Sequence, residues 1–347
     1  MGTIDIMSFD IDELTGFLGE LGQKAFRAKQ VYEWLHNKLA DNFDDMSNIS
    51  KDLRDELSNR CIINMPRIIN IYKSKIDGTA KYLFELTDGC VIESVLMKYK
   101  HGNSVCISSQ VGCRMGCSFC ASTIGGLERN LTPSEMLGQI YKIQKDTGER
   151  VSNIVVMGSG EPFDNYDNLI KFIKLINSDK GLNISSRNIT VSTCGLIEKI
   201  RQFADEQFQV TLAISLHAPN DLRRKQIMPI ANKYAINDIM EACRYYFDKT
   251  GRRITFEYSL IKDVNDGEDE AMELARLLGG FNCHVNLIPV NPIKEREYVH
   301  SNMEYILNFK NILEKNKINA TIRREMGADI NAACGQLRRS YIDEHRG

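Results

Sequence analysis

Ser104-Val-Cys-Ile-Ser-Ser-Gln-Val-Gly-Cys113-Arg-Met-Gly-Cys117-Ser-Phe-Cys120 is the stretch from which the architecture is read. It opens on a short apolar run and then places three thiols within eight residues. From here to the C-terminus similar runs recur every 20 to 45 residues: NIVVM, NITVS, VTLAISL, ITFEYSL, HVNLIPV and NATIRR, with amphipathic stretches between them. Strands alternating with helices predict a parallel sheet joined by right-handed crossovers. Six or seven such units are too few for a closed eight-fold barrel and suit a partial, (β/α)6-type one. In such barrels functional groups gather at the C-terminal ends of the strands, and the cysteine loop follows the first strand of the series.

Working outward, residues 66–100 change period. RIINIYKSKIDGTAKYLFELTDGCVIESVLMKY alternates apolar and polar positions and carries Asp77-Gly78 and Asp88-Gly89, dipeptides that favour tight hairpin turns. A small antiparallel sheet is expected there. The segment before it reads as short helices, with Phe26, Val31, Trp34 and Leu35 at helical spacing and DLRDEL after a Ser-containing turn. The expected division is a helical accessory domain over 1–64, a β-sheet linker over 65–100 and the barrel over 101–347.

The chain has 347 residues, 43% hydrophobic and 26% charged, which excludes disordered, collagen-like and coiled-coil classes. No window approaches 18 apolar residues, and acids stand in MGTIDIMSFDIDELTGF where a signal peptide needs a basic stretch, so a cytosolic protein is predicted. A net charge of -2 excludes a polybasic nucleic-acid coat while leaving local basic patches possible. In a reducing compartment the ten cysteines are not a disulfide framework. Cys61, Cys90, Cys194, Cys243 and Cys283 lie singly in apolar surroundings and read as small buried hydrophobes.

The triplet Cys113, Cys117 and Cys120 has no fourth Cys or His at zinc-site spacing and no fourth Cys at ferredoxin spacing. Three ligands on a four-iron cubane leave one iron open to a substrate. The spacing, three residues then two, resembles the signature of the radical S-adenosylmethionine superfamily. That resemblance implies a radical SAM barrel holding one 4Fe-4S cluster, whose open iron chelates S-adenosylmethionine and whose electron yields a hydrogen-abstracting 5′-deoxyadenosyl radical. Phe119 suits the superfamily's aromatic packing before the last ligand, and equally an ordinary loop anchor. Met157-Gly-Ser-Gly160-Glu161-Pro ends the second strand, and beside the cysteine loop it resembles the superfamily's methionine-binding segment. Ser192, Ser215-Leu216-His217 and Asn291 end later strands, where the barrel rule puts function.

Two further thiols remain. Cys106 lies seven residues before the first ligand, and Cys334 sits in GADINAACGQLRR, small and polar residues suited to a loop. With FRAKQVYEWLHNK, VCISSQVGCRMGCSFCAS, GSGEPFDN, SLHAPND, LIPVNP and DINAACGQL, they resemble the RlmN family of dual-specificity RNA methyltransferases along nearly the whole chain. Ser159 departs from the Met often found there in the family. The resemblance implies methylation of adenine C2 in 23S ribosomal RNA at the peptidyl transferase centre and in the anticodon loop of some transfer RNAs. It implies Cys113, Cys117 and Cys120 as cluster ligands, and Gly160, Glu161, Ser192, Ser215, Leu216, His217 and Asn291 around S-adenosylmethionine. Cys334 then carries a methyl group, Glu93 serves acid-base chemistry, and Cys106 resolves the protein-RNA adduct as a transient disulfide. Two S-adenosylmethionine molecules are consumed per turnover, and an electron donor and a disulfide reductant are required of the cell. The protein is expected to act as a monomer.

Arg223-Arg224-Lys225, Arg252-Arg253, Arg323-Arg324 and Arg338-Arg339 are basic clusters able to meet RNA phosphates, or solvated helix faces. The alternatives are a Cfr-type enzyme acting at C8 of the same adenine and a non-catalytic iron-sulfur or zinc RNA-binding protein.

Overall fold

The computed structural model describes residues 3–291 and 297–330, so Cys334 and Arg338-Arg339 lie outside the described residues. In the N-terminal part β1 (Ile4–Asp5) and β2 (Cys61–Ile62) pair in parallel around three helices, α1 (Ile11–Glu20), α2 (Ala25–His36) and α3 (Lys51–Arg60). Asp10 starts α1 with a reciprocal cap: its carboxylate accepts from the Asp12 and Glu13 N–H groups while Glu13 accepts from the Asp10 N–H. That pairing satisfies donors that a helix start leaves open. The buried stripe of α2 is Ala28, Val31, Tyr32 and Leu35. Phe26, expected on it, is 49% exposed, because it stands about 200° around the helix from Ala28 at 3.6 residues per turn. Arg27 lies over the Phe26 ring at 4.8 Å, and Lys38 over the half-buried Trp34 at 4.1 Å.

Next come β3 (Arg67–Lys73), β4 (Ala80–Glu85), β5 (Val91–Tyr99) and β6 (Gly102–Ile107), each antiparallel to the one before. The two Asp-Gly pairs make the expected turns, with Asp77 and Asp88 each accepting a backbone N–H two residues on at 3.0 Å. A separate ribbon of β7 (Gln110–Gly112) and β8 (Leu127–Asn130) follows. After α4 (Pro133–Thr147) come β9 (Val151–Val156), α5 (Tyr166–Asn177), β10 (Ile189–Thr193), α6 (Ile197–Asp205) and β11 (Thr211–Ser215). Then α7 (Asp221–Ile227) and α8 (Ile236–Thr250) precede β12 (Ile254–Leu260), α9 (Glu268–Leu278), β13 (Cys283–Pro289), α10 (Met303–Lys315) and β14 (Asn319–Ile322).

The main sheet has ten strands in the order β14-β13-β12-β11-β10-β9-β6-β5-β4-β3. From β6 to β14 the strands are parallel neighbours in chain order, the partial barrel expected. The small antiparallel sheet expected over residues 66–100 is not separate. Because β5 bonds to β6, and β6 also bonds to β9, the hairpins extend the barrel sheet. Turn chemistry is local and visible in the sequence, whereas a strand's second partner is not.

One face of this sheet packs on the helices through Val191, Phe256, Tyr258, Val285 and Leu287. Alternate positions, Ser192, Ser215, Glu257 and Ser259, line a cavity on the other face, as the two-residue period of a strand requires. Beyond β14 the chain returns to the opposite sheet edge. Asp77 accepts the Gly327 N–H and Asp329 the Lys75 N–H, both at 2.9 Å.

Candidate active site

The cysteine loop is closed at its neck by the β7–β8 ribbon, where the Cys113 N–H donates to the Gly126 carbonyl at 2.9 Å. Its tip is tied to the end of α7 by the Ser118 N–H, which donates to the Ile227 carbonyl at 2.9 Å. Its flank is tied by an Arg114–Asp164 ion pair. Closed in this way, the loop turns Cys113, Cys117 and Cys120 toward one cavity, which all three line. Burial first, then for Cys113 and Cys117 the neighbouring thiols, pushes their pKa values up, to about 12 for Cys113. Ligation therefore displaces protons.

The three thiols fit an iron-sulfur cluster. All three line one cavity, and Cys113 and Cys117 each feel the charge of a neighbouring loop thiol. The other metal-capable side chains on the wall, Glu161, His217, Glu257 and Cys194, are each held by a hydrogen bond. The Glu161 oxygens accept the Phe163 N–H at 3.0 Å and the Cys194 N–H at 2.8 Å. His217 Nδ1 accepts the Ser259 N–H at 2.9 Å. Three thiols with no uncommitted fourth donor among the lining residues would hold an iron-sulfur cluster better than a four-ligand zinc ion.

Gly160, Glu161, Ser192, Ser215, His217 and Asn291 line the same cavity as the three thiols. Gly160 has φ +109°, and a Cβ there would lie 2.6 Å from Gln110 Cβ. Gln110 in turn accepts the Glu161 N–H at 2.9 Å, so the close approach of two backbones aims the acid. Burial raises the Glu161 pKa, opposed by the N–H bonds it accepts. Ser192 and Ser215 bring their hydroxyls within 3.3 Å of each other across β10 and β11.

His217 has φ +55°, a conformation sustained by the Asn265 side chain donating to its carbonyl at 2.7 Å. Burial, then the charge of Arg224, lowers its pKa to about 3. The ring is neutral, and since Nδ1 accepts, its proton sits on Nε2. Phe119 of the cysteine loop meets this ring edge-on at 4.7 Å between centroids. Leu216 differs from the other expected contacts: it is wholly buried in the core and is not on the cavity wall.

Strand register puts Glu93 and Cys106 on the same sheet face as Ser192, though neither is on the cavity wall. Glu93 is 3% exposed, with Lys81 Nζ at 3.2 Å.

Other expectations need correction. Arg224 cannot meet phosphate: it is wholly buried and donates to the carbonyls of Cys194 at 2.6 Å, Leu216 at 3.2 Å and Ser215 at 3.3 Å. Strand ends β10 and β11 converge there, and their free carbonyls need a buried donor. Arg223 is paired with Glu270, and Arg252 donates to Thr211. Cys194 is more than a space-filler, since it lines the cavity and its N–H holds Glu161. Cys90 is half-buried and donates to Glu128.

Glu257 and Lys81 carry no motif in the sequence, and Arg323, expected only as part of a basic cluster, also belongs to the cavity wall. Glu257 and Arg323 line the cavity, and Glu257 accepts from Asn286 at 2.8 Å. An acid at an inward position of ITFEYSL was the available signal.

Residues 4–63 match the ribosomal RNA large subunit methyltransferase N-terminal domain, and residues 107–275 the radical SAM superfamily. A relative from Lachnoclostridium phytofermentans, named probable dual-specificity RNA methyltransferase RlmN, is 63% identical, covering 98% of this chain and 96% of its own. A protein of the same name from Lachnospira eligens is 62% identical, covering 98% and 97%. The crystal structure of a radical SAM methyltransferase from Sphaerobacter thermophilus aligns with a TM-score of 0.92 at 43% identity, over 96% of this chain and 98% of that one.

Proposed function

This chain belongs to the RlmN family of radical SAM RNA methyltransferases, and from that membership we propose that it methylates C2 of an adenosine in 23S ribosomal RNA and in the anticodon loop of some transfer RNAs. The observation that carries the reading is a single cavity lined by the three loop thiols and by Glu161, Ser192, Ser215 and Asn291, with Glu93 and Cys106 on the same inner sheet face.

A 4Fe-4S cluster on Cys113, Cys117 and Cys120, with S-adenosylmethionine bound, supplies hydrogen-abstracting radical chemistry. Such chemistry is needed because C2 of adenine has no lone pair with which to attack a sulfonium. Glu161 and Asn291 hold the polar end of S-adenosylmethionine, and Ser192 and Ser215 its hydroxyl-bearing part. The Phe119–His217 contact closes the wall against water. Cys334 carries the methyl carbon that becomes bonded to C2. Glu93 takes the C2 proton. Cys106 then attacks the Cys334 sulfur, releasing the methylated base and leaving a disulfide for a cellular reductant.

The N-terminal helical domain holds the folded RNA, offering Phe26, Arg27 and Lys38 on its surface. The target adenine must leave its stack to reach an interior site. The enzyme acts as a monomer in the cytosol. Among the described residues no helix is long and apolar enough to cross a membrane.

Nucleoside mass spectrometry on RNA from cells with and without this protein tests the reading. Loss of 2-methyladenosine supports it, and a change in 8-methyladenosine alone overturns the position assigned. Within the purified enzyme, Cys106→Ala should leave RNA covalently attached on a denaturing gel.

A further inference from the structure

Lys81 is wholly buried on β4, and its partner Glu93 on β5 is almost so, with 3.2 Å between Nζ and the carboxylate. An ion pair taken out of water adds little or no stability over an apolar pair of the same volume. The neighbours on these strands are Leu83, Phe84, Ile92 and Leu96, all buried, so the fold had apolar residues to hand. Charge retained at such a place points to chemistry.

The sheet register shows which chemistry. Lys81 pairs with Val95 across β4 and β5, and Val95 pairs with Cys106 across β5 and β6. Registered partners share a face, so Lys81, Val95 and Cys106 form one row across three strands, about 10 Å from end to end at the usual strand spacing. Glu93 lies two residues from Val95 on β5 and therefore on the same face. The charged groups facing the Cys106 sulfur are Arg323, Glu93 and Lys81, with the Met157 N–H as a further donor. Burial pushes this thiol up; Arg323 opposes that first and the Met157 N–H next, while Glu93 adds to it and Lys81 offsets part of what Glu93 adds. A buried thiol is a poor nucleophile until a cation favours its anion.

We propose that Lys81 is a positioning residue for the resolving step, its buried ammonium setting positive charge on the sheet face that carries the Cys106 sulfur and balancing the Glu93 carboxylate held on that same face. This rests on the function proposed above. In the step served, Cys106 loses its proton and its sulfur bonds to the Cys334 sulfur. The bond from that sulfur to the methylene carbon breaks, its electron pair goes to carbon, and carbon takes a proton to become the methyl group. Two sulfurs are oxidised to a disulfide while the carbon is reduced, so no further oxidant is needed.

The test is the pH profile of Cys106 alkylation by iodoacetamide in the intact, folded chain, read by peptide mass spectrometry, with circular dichroism confirming the fold. Lys81→Met should displace the profile to higher pH and slow alkylation near neutrality at least severalfold, and Lys81→Arg should restore it. Glu93→Gln removes the opposing charge and should displace the profile to lower pH, which keeps the proposal testable should Lys81→Met not fold. A profile unchanged in either folded variant overturns the proposal. This measurement needs neither RNA nor cofactor, so it is separable from the parent reading, which fails instead if Cys106→Ala yields no RNA-linked band.

Discussion

The carboxylate of Glu161, in the turn that follows β9, accepts the backbone N–H of Cys194 just beyond β10 at 2.8 Å. Its other oxygen takes the Phe163 N–H, so one acid ties two neighbouring strand ends into a single rim. The rim then holds a fixed position opposite the cysteine loop.

Glu161→Ala should therefore do two things. It leaves two buried N–H groups without acceptors, at about 1–3 kcal/mol each, and it removes an anion from the cavity. Urea unfolding should show the loss of stability, and calorimetric titration with S-adenosylmethionine at least a tenfold loss of affinity. Glu161→Gln, which keeps one acceptor oxygen, should fall between. Wild-type affinity in a folded Glu161→Ala protein would remove this residue from the binding site.

Gly160→Ala meets a different obstacle. The added Cβ would sit 2.6 Å from Gln110 Cβ and 2.8 Å from Gln110 N, at φ +109°. Displacing Gln110 also disturbs its bond to the Glu161 N–H. A cost of about 1–3 kcal/mol is expected, visible as a lower melting temperature together with weaker S-adenosylmethionine binding. An unchanged melting temperature would show that the two backbones can part without penalty.

Arg224→Met should destabilise strongly, because three carbonyls lose their donor in the interior, at about 1–3 kcal/mol each. Arg224→Lys keeps the charge but not the planar fork and should recover only part. Denaturant midpoints at equal iron content decide this, and equal midpoints for wild type and Arg224→Met would refute the tie between β10 and β11.

A pH dependence follows from the buried histidines. His36, wholly buried against Tyr141, has its pKa lowered to about 3 by burial. The unfolded chain protonates such a group near its ordinary value of about 6.5, so stability present above that pH is lost as pH falls toward 3. The loss should reach about 2 kcal/mol by pH 5 for this residue. Several buried carboxylates act in the opposite sense, so the comparison is between wild type and His36→Gln. The wild type should lose more stability from pH 7 to pH 5, and parallel losses would contradict the assignment.

The features visible in the chain were those written over short spans. Three thiols in eight residues, Asp-Gly turns and a recurring strand-helix alternation each depend on residues close together, and the observed barrel follows that alternation. The α2 face was misjudged because Phe26 and Trp34 are large and apolar, yet the stripe that meets the core begins at Ala28. Arg224 departs from expectation for a similar reason: its side-chain type suggests solvent, and only the convergence of two strand ends supplies the carbonyls that hold it inside.

Local composition thus settled the alternating architecture and the candidate ligands, since backbone propensity and loop chemistry act within a dozen residues. Folding in three dimensions decided which side chains meet. Lys81 and Cys106 lie 25 positions apart in the chain, and they share a row because hydrogen-bond register across β4, β5 and β6 sets their alignment. Register depends on the whole sheet's burial, a sum over distant contacts that no short segment encodes.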